Sequence, residues 1–528
     1  MADKEKEKRR VVISLAVIGA VFVFTRLFLL TSVPRGLHVD EAGMAYDAFC
    51  LANYGTDRYM TYHPVYLTNY GSGQSALYAY LASVFIRIIG FRPAAFRLPA
   101  VCLGAVTVMF GYLIGRETMK KRSAVILAGL ITLCPYYIMS SRWGLDCNLL
   151  LGLFTMSVYW LILAVKRQKT GWFALAGLSF GVTLYSYAVS YVLLPVFLLL
   201  SFFYLLWNRK IKVRQAAVFA ALLAVFALPL LLFIAVNMEY LEPISTPLFT
   251  IHRLEYYRGG EFSLANIPAN KGLFKMLLTA DLVPYNGFAR FGTLYYISVP
   301  FLLAGILISL VRTVKSIKNR TYDAQTFVAI MFWVIMAVDM VMMLPNINKS
   351  NAVYFPFIYF VALAFDFLLE RLPRKEWVTA GIAAAYGVCF LSFGNYYYFQ
   401  YPEDIYPQQY FNDSLIQMLD RIEETYPRGT ERNIYVDISD DNVSQPYIYT
   451  LIRRPLSPEE WNARRGENNS YGHYCFTVPE ETDENGIYIM YSDQEAMDRL
   501  SRAGFTYEEY NGFWRIYRKE SRDSLSVR

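Results

Sequence analysis

Apolar runs of about twenty residues recur from residue 11 to residue 396, and short basic tracts separate them. A helix of that length crosses the hydrocarbon core of a bilayer, so repeated runs leave the chain little choice but to fold across a membrane. Composition agrees. The chain is 55% hydrophobic and 17% aromatic with 18% charged residues, where soluble domains carry about a quarter charged. The net charge of +7 does not mark a nucleic-acid partner. Its basic residues sit between the apolar runs, as cytoplasmic loops do. The six cysteines show no CxxC or zinc-like spacing and imply no disulfide framework. The first run is too long for a cleavable signal and lacks a small-residue cleavage site, so it reads as a retained signal anchor.

Residues 1–10 form a charged cytoplasmic tail and residues 11–396 a transmembrane domain. Span 1 covers 11–33, and the first outer loop runs from 34 to 95. Its last stretch, SALYAYLASVFIRIIG (75–90), is short and carries Arg87. Counted as a span, it would put RETMKKR (116–122) outside, so it is assigned to an amphipathic helix in the interface. Further spans fall at 96–116, 123–140, 148–165, 215–236, 295–311, 327–344, 352–370 and 377–396. The long block 172–207 supplies two more, hinged near YSYAVSY (185–191), and a large outer loop covers 237–293. Each of the six inside segments carries at least three Lys or Arg; the three short outer turns carry none or one. That asymmetry predicts eleven spans with the N-terminus inside.

Beyond residue 397 the chain turns polar, with a helical pattern at DSLIQMLDRIEETY and strand patterns at NIYVDIS, HYCFTV and GIYIMYS. An amphipathic QEAMDRLSRAG and a final FWRIYRK follow, so residues 397–528 read as a small extracytoplasmic α/β domain. No internal repeat is evident.

With this topology the outer face collects the chemistry. The first loop brings His38, Asp40, Glu41, Asp47, Asp57 and His63; the turn after span 3 brings Arg142 and Asp146. The turn after span 9 brings Asn346, Asn348, Lys349 and Asn351, and the large loop His252, Arg253, Tyr256 and Tyr257. Plainer roles exist for each. Asp40 and Glu41 suit the first turn of a loop helix EAGMAYDAF. Arg142 and Asp146, at i,i+4 spacing, suit a structural ion pair. Lys349 can snorkel from a span end, the many tyrosines suit an interfacial belt, and His252 suits an ordinary loop position.

The order of these features resembles a known family. One span, an outer loop opening with Asp-Glu, Arg97 in FRLPA, then SRWGLD after the third span and a late NINKSNAVYFPFIYF are similar to the GT-C-fold membrane glycosyltransferases. Those enzymes use lipid-phosphate-linked sugars; protein O-mannosyltransferases and bacterial lipid A aminoarabinose transferases are members. Bacterial relatives usually show Arg at the position of Lys349. The resemblance covers roughly residues 10–400 and does not extend to the tail. It implies a bacterial plasma-membrane enzyme that moves a sugar from a polyprenyl-phosphate donor to an extracytoplasmic protein, lipid or glycan acceptor.

Carried over residue by residue, Asp40 is the general base, Glu41 its orienting partner or a ligand to acceptor or metal, and Asp146 a second acidic residue near the donor. The physical reasons are independent of the family. A polyprenyl-phosphate sugar keeps its chain in lipid and its phosphate at the interface, so the site must lie just outside a span. A carboxylate takes the proton of the acceptor hydroxyl, and one base suffices for a single inverting displacement. The leaving group is already a phosphate, whose charge suits Arg97, Arg142 and Lys349. His252, Tyr256, Asn346, Asn348 and Asn351 are candidates for acceptor or sugar binding. The residues specify no cofactor; a divalent cation, Mg²⁺ or Mn²⁺, between Asp40 and Asp146 is a candidate, because such ions take hard oxygen ligands. The alternative is a lipid or glycan transporter or flippase, for which Asp339 is the clearest intraspan acid. A non-catalytic scaffold would leave the clustered acids and bases unexplained.

Overall fold

The structure, a computed structural model, describes residues 2–257, 263–280, 285–342, 346–404, 407, 410–426, 432–439, 445–510, 512 and 514–519. In chain order, helix α1 (Ala2–Leu27) is followed by α2 (Val39–Tyr54), a hairpin of β1 (Tyr66–Asn69) and β2 (Ser72–Ser75), and α3 (Leu77–Ile89). Next come α4 (Pro93–Thr118), α5 (Lys121–Leu133), α6 (Pro135–Ser140), α7 (Cys147–Arg167), α8 (Thr170–Leu184), α9 (Ser190–Trp207) and α10 (Val213–Asn237). A two-stranded pair, β3 (Ile244–Ser245) and β4 (Thr250–Ile251), precedes α11 (Leu273–Thr279). Then follow α12 (Val299–Asn319), α13 (Ala324–Met342), α14 (Tyr354–Arg371) and α15 (Lys375–Asn395). The chain divides into two compact units, residues 1–30 with 64–398 and residues 31–63 with 399–528.

The first unit is a helical bundle. Among the described residues nine helices are long and apolar enough to cross a membrane, two fewer than the eleven spans expected. The two that fall short are α5 and α8, of 13 and 15 residues. At about 1.5 Å per residue neither covers the roughly 30 Å hydrocarbon core. Pro135 is the cause for α5. The residue before a proline is driven out of the helical region, and Cys134 takes φ −62°, ψ 129°. The hinge expected at 185–191 separates α8 from α9, and the amphipathic stretch 75–90 forms the short α3. The end of the span expected at 327–344 lies outside the described residues.

Two spans sit deepest in the bundle: α7 and α14 are 83% and 89% buried. Helices approach closely where a side chain is missing, as lipid-embedded bundles require. A Cβ on Gly305 of α12 would lie 1.8 Å from the Phe360 carbonyl oxygen of α14.

The second unit joins residues 31–63 to the tail. Its tail elements are α16 (Asp413–Thr425), β5 (Ile434–Val436), α17 (Tyr447–Arg453), α18 (Pro458–Arg464), β6 (Tyr474–Cys475), β7 (Ile487–Met490), α19 (Gln494–Arg502), β8 (Thr506–Tyr510) and β9 (Trp514–Arg518). The sheet order is β6-β5-β7-β9-β8, with β5 parallel to both neighbours and β7, β9 and β8 antiparallel. Tyr435, Tyr488, Met490, Met497, Leu500 and Phe505 pack one face of it. Helix α2 packs on α17. Its Tyr46 hydroxyl donates to the Leu456 carbonyl at 2.9 Å, and the Tyr449 hydroxyl donates to the Leu37 carbonyl at 3.2 Å. Gly36, at φ +74°, makes the close approach possible, since a Cβ there would meet the Phe411 carbonyl oxygen at 2.2 Å.

Candidate active site

In the bundle, the turn between α6 and α7 is anchored by Arg142. This guanidinium is fully buried. It donates to the carbonyl oxygens of Thr25 and Phe28, each at 2.7 Å, where α1 ends. Terminal helix carbonyls lack intrahelical donors, and a cation there opposes the helix dipole favourably. The guanidinium also lies 5.1 Å from the ring centre of Tyr398. Arg97, equally buried, donates to the Leu30 carbonyl at 2.8 Å. Arg26 was not singled out from sequence. It reaches from α1 to the Thr132 carbonyl at 2.5 Å.

Asp146 is the N-cap of α7. Its Oδ1 accepts the Cys147 backbone N–H at 2.8 Å, and its Oδ2 accepts that of Ser75, the last residue of β2, at 3.0 Å. One carboxylate therefore ties the hairpin to the start of α7.

The segment 346–351 leads into α14 through a short 3₁₀ turn at Asn351–Val353. Asn346 Oδ1 accepts the backbone N–H groups of Asn348 and Lys349, at 2.8 and 3.1 Å, the geometry by which Asn closes a turn. The buried Asn351 amide donates to the Cys147 carbonyl. Asn286, from the large loop and fully buried, joins the two turns. Its Oδ1 accepts the Trp143 indole N–H at 3.0 Å, and its Nδ2 donates to Asn348 Oδ1 at 3.0 Å. Arg142, Asp146, Asn346, Asn348, Lys349 and Asn351 are thus gathered where α7 and α14 begin. Helix N-termini present unpaired N–H groups and positive potential.

His252 and Tyr256 lie along the hairpin instead. His252 Nε2 pairs with Thr68 Oγ1 at 2.7 Å, and burial holds its imidazole below the ordinary range. The Tyr256 backbone donates to the Gly71 carbonyl at 2.7 Å, leaving its ring exposed. Asp339 is fully buried near the end of α13, beside Ser350, and neither of its oxygens has a hydrogen-bond partner among the described residues. An apolar groove of about 460 Å³ between α8, α9 and α10 is lined by Leu184, Tyr191, Leu194, Phe219, Leu230 and Ile234. Of these lining residues, Tyr191 lies beside Ser75 and near Asp146.

In the second unit, His38 caps α2, its Nδ1 accepting the Asp40 backbone N–H at 3.1 Å. Asp40 and Glu41 fall in the first turn, where the dipole favours carboxylates. Asp40 keeps 38% of its side chain exposed, while Glu41 is buried. Of the two carboxylates, Asp40 is the one open to solvent. Further along α2, Asp47 and Arg58 form a buried pair, with Nε to Oδ1 at 3.0 Å and Nη2 to Oδ2 at 2.8 Å. Among the described residues no group of three or more His, Cys, Asp or Glu side chains could hold a metal ion. Asp146 already has both oxygens engaged with backbone N–H groups.

Residues 74–234 match the family described as dolichyl-phosphate-mannose-protein mannosyltransferase. No curated protein matches the sequence. Among solved structures, apo ArnT from Cupriavidus metallidurans superposes with a TM-score of 0.55 at 13% identity, over 97% of this chain and 98% of that one. The same protein bound to undecaprenyl phosphate gives 0.51 at 13% identity, over 96% and 97%. The apo oligosaccharyltransferase of Archaeoglobus fulgidus gives 0.52 at 15% identity over 84% of this chain. The chain spans only 63% of that archaeal protein. The fold is shared with ArnT and with the archaeal oligosaccharyltransferase, and a mixed-sheet domain lies at its C-terminal end.

Proposed function

We propose that this chain, a GT-C-fold membrane glycosyltransferase, moves one sugar from a polyprenyl-phosphate donor to an extracytoplasmic hydroxyl by a single inverting displacement. The observation that carries the reading is the junction of the α7 and α14 N-termini by Asn286 and Asn351, with Arg142 and Lys349 on the two turns. Positive helix ends and cationic side chains stabilise the phosphate as the glycosidic bond breaks. The groove between α8, α9 and α10 suits the apolar polyprenyl chain, and its lining residue Tyr191 lies beside Ser75 and near Asp146. Asp40, the exposed acid of the Asp-Glu pair, takes the acceptor proton, and Arg97 completes the charge on the donor side. In this topology the N-terminus is cytoplasmic, and the acceptor is a protein, lipid or envelope glycan.

Asp339 favours a second reading, transport of a lipid-linked sugar, because a buried acid within a span is the usual mark of a translocation path. One experiment separates the two. Purified protein in proteoliposomes is given a panel of radiolabelled polyprenyl-phosphate sugars with membrane extract as acceptor. Transfer of label to extract with release of polyprenyl phosphate is expected. Label that crosses the bilayer still attached to its lipid would establish the transporter instead.

A further inference from the structure

The Trp143–Asn286–Asn348 chain has a fixed polarity. An indole N–H can only donate. Its contact with Asn286 at 3.0 Å therefore assigns the carbonyl oxygen of that amide to the Trp143 side. The Asn286 NH₂ group must then face Asn348, 3.0 Å away, and Asn348 must offer its own oxygen in return. Asn286 is fully buried, so water cannot exchange either bond cheaply. The result is an Asn348 side chain whose NH₂ group is turned away from the relay. That group has no hydrogen-bond partner among the described residues, and Asn348 is partly exposed beside Lys349. A free asparagine flips its amide to suit a donor or an acceptor. This one is held as a donor.

We infer that Asn348 is a specificity-determining hydrogen-bond donor to an anionic oxygen of the donor's phosphate, and that Trp143 and Asn286 are positioning residues that keep its amide in that orientation. The inference rests on the glycosyltransferase reading and deepens it, since it fixes the charge of the group recognised at the start of α14. Lys349 contributes charge without direction, whereas an oriented amide selects an acceptor oxygen at one place.

The test measures binding of undecaprenyl phosphate to full-length protein in nanodiscs, with the unfolding temperature recorded for every variant. Asn348→Asp keeps an oxygen for the Asn286 NH₂ but replaces the outward donor by an anion. Affinity is expected to fall about ten- to hundred-fold, as loss of a hydrogen bond to a charged group implies, with the unfolding temperature held. Trp143→Phe keeps the ring and frees the relay to flip. It is expected to weaken binding about threefold or more in the wild-type background, and not at all in Asn348→Asp, because coupled residues are non-additive. Binding by Asn348→Asp equal to wild type, or a Trp143→Phe effect unchanged in that background, would overturn the inference while leaving the glycosyltransferase reading in place. Wild-type protein that binds no undecaprenyl phosphate would overturn both.

Discussion

Asp146 holds the Ser75 backbone N–H at 3.0 Å with one oxygen while capping α7 with the other at 2.8 Å. Two elements with no sequence proximity share one buried carboxylate, and each loses a partner if it goes. Asp146→Ala is expected to destabilise the protein by about 2–4 kcal/mol, from a lost cap and a buried N–H left without an acceptor. Asp146→Asn keeps one acceptor oxygen and should lose less. Thermal unfolding in detergent ranks the two.

Arg142 spans two carbonyls with one planar fork, which lysine cannot imitate. Arg142→Lys is expected to cost about 1–3 kcal/mol, because a buried carbonyl of Thr25 or Phe28 loses a charge-assisted hydrogen bond. If Arg142 also faces the donor phosphate, undecaprenyl phosphate binding falls further than stability accounts for. Equal folding with unchanged binding would restrict Arg142 to its structural contacts.

The buried Asp47–Arg58 pair holds the loop after α2 onto that helix. Arg58→Met leaves a buried carboxylate alone and is expected to cost about 3–5 kcal/mol. Adding Asp47→Leu removes the stranded charge, so the double variant should recover a large share of that loss. Chemical denaturation of the three proteins measures it.

Stability should also depend on pH through Asp57. Burial, with the nearby Asp47 charge, pushes its carboxyl up to about 7, above the ordinary 3.8. The folded protein therefore binds this proton more tightly than the unfolded chain. Its contribution is fully present below about pH 4, declines as pH rises and is gone above about pH 7, a change of a few kcal/mol. Asp57→Asn keeps an oxygen for the Tyr59 and Thr61 N–H groups and should flatten that limb in unfolding scans.

Fold class was legible because membrane spans are written in long local runs, and the tail strands in local alternation. Span count was less so. Pro135 divides one apolar run, and only its geometry shows that α5 stops at Leu133. Pairing at a distance was not legible. Nothing near Arg142 in sequence announces the Thr25 and Phe28 carbonyls, and i,i+4 spacing pointed only to Asp146. Asn286 sits in an unremarkable Tyr-Asn-Gly stretch, yet it links two turns far apart in the chain. The only available hint was that a polar residue in an outer loop must either face water or find partners. Likewise, the packing of α2 with the tail depends on Gly36 and Tyr46 meeting residues about 370 to 410 positions later, beyond any local pattern.

In the proposed reaction a lipid-borne sugar is transferred with Asp40 as base. The most direct measurement is single-turnover transfer from the polyprenyl-phosphate sugar that wild type consumes, followed beside Asp40→Asn at matched donor occupancy. The variant is expected to bind donor with wild-type affinity and to unfold at the wild-type temperature. Its transfer step should slow by about two to four orders of magnitude, the usual worth of a general base. Transfer at the wild-type rate by Asp40→Asn would contradict that role for Asp40.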